Sequence, residues 1–78
     1  MKVDIISPEK TIWSGQATLV ALPGAKGAFE MLNNHAPIIS SLTKGVVKIV
    51  QQDKSQLTFE IEGGIIESNN NKVNILVK

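Results

Sequence analysis

The sequence predicts an all-β domain, either a sandwich or a barrel, and two observations carry that prediction. Apolar residues recur at every second position, most clearly in "LTFEIEG", where Leu57, Phe59 and Ile61 point to one side of an extended chain. Glycine, proline and asparagine separate such runs at short intervals, and no long segment has helical periodicity. Alternation is typical of strands with one buried face, and many short strands with frequent turns indicate a sandwich or barrel.

The remaining apolar runs are also predicted to form strands. The first three candidates are "KVDII", "TIWSG" and "ATLVALPG", which are rich in β-branched residues. In "GVVKIVQQ", Val47 and Ile49 point inward while Lys48 points outward. The polar "QQDKSQ" predicts a hairpin loop, and "ESNNNKV" predicts a tight hairpin between "GIIES" and "KVNILVK". The last run places three residues on one face: Val73, Ile75 and Val77.

Length and composition allow one small domain that is stabilised by packing alone. The 78 residues contain no cysteine, and 42% of them are hydrophobic, so a core without disulfides or thiolate–metal sites is expected. Eight lysines, no arginine and seven acids give a net charge of +1, which argues against a protein specialised for polyanions. No apolar run is long enough to span a bilayer, and the N-terminus does not resemble a signal peptide.

Candidate catalytic and metal-binding residues are few and isolated. His35 is the only histidine, and a metal site requires further ligands that its neighbourhood does not offer. Ser40 and Ser41 lie roughly 15 Å or more away if the intervening chain is extended. Glu60 and Glu62 share the solvent face of one strand, which is typical of a solubilising surface. We therefore predict no catalytic residue, no metal site and no cofactor.

Three aromatic residues and one glycine-rich loop are the other features of interest. Phe59 is expected in the core, whereas Trp13 fits either the core or a contact surface. Phe29 follows the loop "LPGAKGAF", where an apolar ring in an exposed loop needs a pocket or a partner. The loop lacks the spacing of a phosphate-binding P-loop. A small β-sandwich module that binds carbohydrate or peptide is the alternative function that these residues leave open.

Several phrases together resemble one family. "ISPEKTIWSGQATLVALPGAKGAFEMLNNHAPIISSLTKGVVKI" followed by "GGIIESNNNKVNIL" is similar to the N-terminal β-sandwich domain of the ATP synthase epsilon subunit, over about residues 3 to 77. The resemblance implies a flattened sandwich of about ten short, mostly antiparallel strands that fills residues 1–78. It also implies a non-catalytic central-stalk subunit that links the gamma subunit to the c ring of a proton- or sodium-translocating ATP synthase.

The resemblance further implies which residues contact each partner. The c-ring interface corresponds to Gly27, Ala28, Phe29, Glu30, Asn33, Asn34 and His35. The gamma interface corresponds to Ser7, Pro8, Glu9, Ile39, Ser40, Ser41 and Leu42. Such a subunit is peripheral to the cytoplasmic face of the bacterial plasma membrane or its organellar equivalent.

Two departures from the family pattern affect these expectations. Asn33-Asn34 stands where the family usually has Pro-Gly, so the turn must be held by positive-φ tolerance or side-chain hydrogen bonds. The sequence ends at Lys78, before the helical hairpin with which the family commonly continues. We therefore expect no ATP site and no inhibitory arm. The sequence favours neither a naturally short chain nor a fragment strongly, although the start at Met1 suggests a short chain.

Overall fold

Nine strands form two sheets in the computed structural model, which describes residues 1–78. The all-β prediction is confirmed, with nine strands where about ten were expected. The strands are β1 Lys2–Ile6, β2 Thr11–Gln16, β3 Leu19–Leu22, β4 Phe29–Leu32, β5 Ile38–Leu42, β6 Gly45–Val50, β7 Gln56–Ile61, β8 Gly64–Asn69 and β9 Lys72–Val77.

The strands divide into a five-stranded and a four-stranded sheet. The five-stranded sheet has the order β2-β1-β9-β8-β5, and the four-stranded sheet has the order β4-β3-β6-β7. All neighbours are antiparallel except β1 and β9, which are parallel. The inward residues of both sheets meet in one core of 15 buried hydrophobic residues, so the molecule is a two-layer sandwich.

Successive strands reverse direction, so the connections gather at two ends of the sandwich. The connections after β1, β3, β5 and β7 lie at one end, which we call the Gly27 end. The connections after β2, β4, β6 and β8 lie at the opposite end, which we call the His35 end. Loops at the same end of the sandwich are therefore near one another, whereas loops at opposite ends are separated by the length of the strands.

Side-chain alternation in β6, β7 and β9 follows the prediction. Val47, Ile49, Val73 and Ile75 are fully buried, and Lys48 is only partly buried on the other face of β6. Both predicted hairpins also form. Their connecting residues Lys54, Asn70 and Asn71 have positive φ, as tight turns between antiparallel strands require.

The β8–β9 turn and the β6–β7 loop are stabilised in different ways. In the β8–β9 turn both connecting residues, Asn70 and Asn71, have positive φ, as a two-residue type I′ turn requires. In the β6–β7 loop, Asp53 Oδ1 accepts hydrogen bonds from the backbone N–H and the hydroxyl of Ser55. These bonds lower the pKa of Asp53 because they stabilise its ionised form.

The open side of the sandwich between β2 and β7 is closed by an aromatic pair. The rings of Trp13 and Phe59 lie 6.2 Å apart between centroids, and both pack against the core while partly buried. Gly15 lies beneath the Trp13 ring, since a Cβ there would approach that ring to 2.7 Å. Trp13 is therefore a packing residue at the edge of the core.

Gly64 allows β9 to pass close to the start of β8. A Cβ at Gly64 would lie far inside van der Waals contact with the carbonyl oxygen of Leu76. Because that oxygen belongs to the backbone of the adjacent strand, it cannot move away without disturbing the β8–β9 ladder.

We predict that Gly64→Ala lowers the free energy of unfolding by roughly 2 kcal/mol or more, through this backbone clash. Urea denaturation followed by circular dichroism measures it. Gly27→Ala is the control: its φ of +129° imposes backbone strain of about 1–3 kcal/mol, but no atom lies within 4 Å of the added Cβ, so a smaller loss than that of Gly64→Ala is expected. Equal losses in the two variants would contradict the assignment.

Candidate partner-binding surfaces

The residues considered for catalysis are not assembled into a reactive site. No group of three histidine or acidic side chains is placed to hold a metal ion. His35 Nδ1 lies 2.7 Å from the carbonyl oxygen of its neighbour Ala36, which is a local turn contact. Glu60 is exposed on β7, and Glu62 follows that strand with one carboxylate oxygen 4.0 Å from the Lys44 ammonium. Such an exposed ion pair contributes little to stability.

The first half of the predicted c-ring group lies at the Gly27 end. Gly27, Ala28 and Glu30 are exposed. Phe29 was predicted to lie in an exposed loop. In the structure it is the first residue of β4, and its ring is partly buried against the core. Its ring covers Gly24, where a Cβ would come within 2.7 Å of it. The Phe29 ring therefore packs against other residues of this chain and does not require a partner to cover it.

The second half of the predicted c-ring group lies at the His35 end and is hydrogen-bonded internally. Asn33 Oδ1 accepts a bond of 2.6 Å from the α-amino group of Met1. The Asn34 N–H donates to Asn71 Oδ1 at 2.8 Å, and Asn34 has a φ of 61°. Both devices expected of the Asn-Asn step, positive φ and side-chain hydrogen bonding, are therefore used to shape this turn.

The structure does not bring the two halves of the c-ring group together. Strand β4 separates them, and its Phe29 and Leu32 are about 10 Å apart at about 3.3 Å per residue. One half faces out of the Gly27 end and the other out of the His35 end. A contact that included both halves would have to extend along the edge strand β4, which the sequence alone did not show because the two halves are neighbours along the chain.

The predicted gamma group is gathered at one end but spread across a sheet. Ser7, Pro8 and Glu9 lie between β1 and β2, whereas Ile39–Leu42 lies on β5 at the other edge of the five-stranded sheet. Three strand spacings separate β1 from β5, which is about 14 Å. Within β5, Ile39 and Ser41 are exposed, while Leu42 is buried in the core.

Between those two groups lies an apolar row that the sequence reading missed. Ile6 pairs with Leu76, Leu76 with Ile65, and Ile65 with Ser41, so these side chains share the outer face of the sheet. Leu76 and Ile65 are 44% and 47% exposed, and the adjacent Ile39 is 75% exposed. We call Ile6, Leu76, Ile65 and Ile39 the outer apolar row. Alternation in "KVNILVK" and "GIIES" already contained the signal, since an apolar residue occupies an outward position in each.

The four-stranded sheet carries a smaller apolar feature at the Gly27 end. A cavity of about 250 Å³ is bordered by Pro23, Ala28, Phe29, Glu30 and Val46, among others. It opens beside the exposed loop that contains Gly27.

The chain has no helix that is long and apolar enough to cross a membrane.

Comparison with known proteins gives one consistent family. A profile of the family described as "ATP synthase, Delta/Epsilon chain, beta-sandwich domain" matches residues 1–78. The ATP synthase epsilon chain of Chlorobium limicola is 40% identical over 77 residues, which are 99% of this chain and 88% of that one. The epsilon chain of Thermosynechococcus vestitus is 42% identical over 77 residues, which are 55% of its length.

Solved structures give the same fold. A chain in the Euglena gracilis mitochondrial ATP synthase, in a structure of OSCP, F1 and c-ring, superimposes with a TM-score of 0.90 at 16% identity. A chain in the central stalk and c-ring of the Tetrahymena thermophila enzyme superimposes with a TM-score of 0.79 at 17% identity. This chain spans 48% and 61% of those chains, respectively. At such identities the likeness demonstrates the fold alone.

We predict that the hydrogen bond between the Asn34 N–H and Asn71 Oδ1 stabilises the His35 end. Asn71→Gly allows the positive φ of the hairpin turn but removes the acceptor of this hydrogen bond. Asn70→Gly also allows the positive φ, and it removes no side-chain hydrogen bond. Asn71→Gly is expected to be about 1 kcal/mol less stable than Asn70→Gly, measured by urea denaturation. Identical stabilities would show that the bond contributes nothing.

Proposed function

Because the chain belongs to the family of ATP synthase delta/epsilon β-sandwich domains, we propose that it acts in the central stalk as a non-catalytic rotor subunit. In this role it links the gamma subunit to the c ring, so that proton or sodium flow is coupled to ATP synthesis. The match of the whole sandwich to epsilon chains carries the proposal. As part of that complex, it is peripheral to the cytoplasmic face of a bacterial plasma membrane or to its organellar equivalent.

The gamma subunit is proposed to dock on the outer face of the five-stranded sheet. The outer apolar row supplies three exposed aliphatic side chains in adjacent strands, and burial of apolar area is the main favourable term in stable association. Ser7, Glu9 and Ser41 flank the row at the Gly27 end, and we propose them as its polar rim. In this proposal the row connects the two separated parts of the gamma group into one surface.

The c ring is proposed to contact the Gly27 end through Gly27, Ala28, Phe29 and Glu30. The loop before β4 is exposed, as is Glu30, and the Glu30 carboxylate forms no hydrogen bond or ion pair within the chain, so it is free for a partner. Asn33, Asn34 and His35 face the opposite end, and Asn33 and Asn34 are used in bonds within the chain. They are therefore proposed to shape the fold.

We predict that Ile65→Glu weakens binding to the gamma subunit by about tenfold or more, because a carboxylate would have to be desolvated in an apolar interface. Isothermal titration calorimetry with purified gamma subunit measures the affinity. Val46→Glu is the matched control, since Val46 is 48% exposed on the four-stranded sheet and Ile65 is 47% exposed. Loss of binding in Val46→Glu, with Ile65→Glu unaffected, would place gamma on the other sheet.

We predict that Ala28→Glu lowers retention of the chain on purified c ring by about tenfold, because it adds a bulky charge to the proposed contact. Ala36→Glu makes the same change at an exposed position of the His35 end and should leave retention unchanged. Co-sedimentation with gamma and the c ring measures both variants. If only Ala36→Glu dissociates, the ring binds the His35 end; if the parent chain never co-sediments, the rotor proposal fails.

A further inference from the structure

Two polar atoms at the His35 end are buried without a hydrogen-bond partner in the protein. The first is Nε2 of His35, and the second is Oγ of Ser68, a residue that is only 3% exposed. Buried polar groups in native proteins are almost always paired with protein or with bound water. Leaving either atom unpaired would lower the folding equilibrium constant by about fivefold or more.

The contact that Nδ1 of His35 makes determines the tautomer of the neutral ring. Nδ1 lies 2.7 Å from the carbonyl oxygen of Ala36, and a carbonyl oxygen can only accept a hydrogen bond. Nδ1 therefore carries the proton, and in the neutral ring Nε2 is an acceptor that needs a donor. A serine hydroxyl both donates and accepts, so the two unpaired atoms have complementary needs.

Chain connectivity places these two residues at the same end of the five-stranded sheet. Ser68 lies opposite Ile38 in the β5–β8 ladder, and Ile38 is three residues after His35. On the other side of His35, Asn34 is anchored to Asn71 in the β8–β9 turn. His35 is thus held between two attachments to the β8–β9 hairpin, at the end of the sandwich where β8 carries Ser68.

We propose that one water molecule binds at this point, donating to His35 Nε2 and accepting from the Ser68 hydroxyl. A polar site with two complementary groups is the kind that holds an ordered internal water. The bound water connects the β4–β5 turn to the five-stranded sheet and keeps His35 in its Nδ1-protonated form.

The sign of one stability change tests this site. If the hydroxyl of Ser68 bonds the water, Ser68→Ala lowers the folding equilibrium constant about fivefold. If the hydroxyl is unpaired, its removal leaves the constant unchanged or raises it, which overturns the proposal. Ser41→Ala is the control, because Ser41 is exposed on the neighbouring strand and should have no effect. Urea denaturation of the intact chain provides the constants.

Two further measurements identify the bridge itself. The losses in Ser68→Ala and His35→Ala should be non-additive in a double-mutant cycle, since either change breaks the same bridge; additive losses overturn it. Nuclear magnetic resonance of ¹⁵N-labelled protein should show an unprotonated, hydrogen-bonded Nε2 and a long-lived water contact at Ser68. Coupling without that water signal indicates a direct His35–Ser68 bond and overturns the water site. None of these readouts depends on the rotor proposal.

Discussion

The register of β8 against β9 is the constraint on which the other features depend. Their side chains alternate between the core and the outer face, so Val73 and Ile75 are buried while Leu76 is outside. A shift of one residue would exchange the two sets, exposing the core and burying Asn74. The Asn70–Asn71 turn fixes this register at one end. At the other end Gly64 fixes it, because only glycine allows the close approach of Leu76. The same register aligns the outer apolar row, so the fold and the proposed gamma surface share one determinant.

A domain of this size without disulfides has little stability to spare, and its two ends use their polar groups differently. At the His35 end, the Met1 amino group, Asn33, Asn34 and Asn71 form bonds that join the start of the chain, the β4–β5 turn and the β8–β9 turn. At the Gly27 end, the β3–β4 loop is held by backbone bonds near Gly24 and Ala25, and its tip is exposed. The proposed rotor role requires a rigid body that transmits torque and an accessible loop that receives it. This division of the two ends is consistent with both requirements.

Much of the fold follows from alternation and turn residues, as "LTFEIEG" and "ESNNNKV" illustrate, because period-two burial and positive-φ turns are local properties. The surfaces were harder to predict. Phe29 was expected in an exposed loop because Gly24, which its ring covers, lies five residues away, and only the folded chain brings the two together. The separation of Gly27 from His35 depends on the direction of β4. The outer apolar row depends on pairing between strands that are distant in sequence, such as β1 with β9.

The central claim is that the gamma subunit covers the five-stranded sheet while the Gly27 end faces the c ring. An electron cryo-microscopy structure of the assembled complex containing this chain tests it most directly. The account predicts that Ile39, Ile65 and Leu76 are buried against gamma, that Ala28 lies against the ring, and that Val46 remains outside the gamma interface. A structure in which the outer apolar row is open to solvent, with gamma seated on the four-stranded sheet, would contradict it.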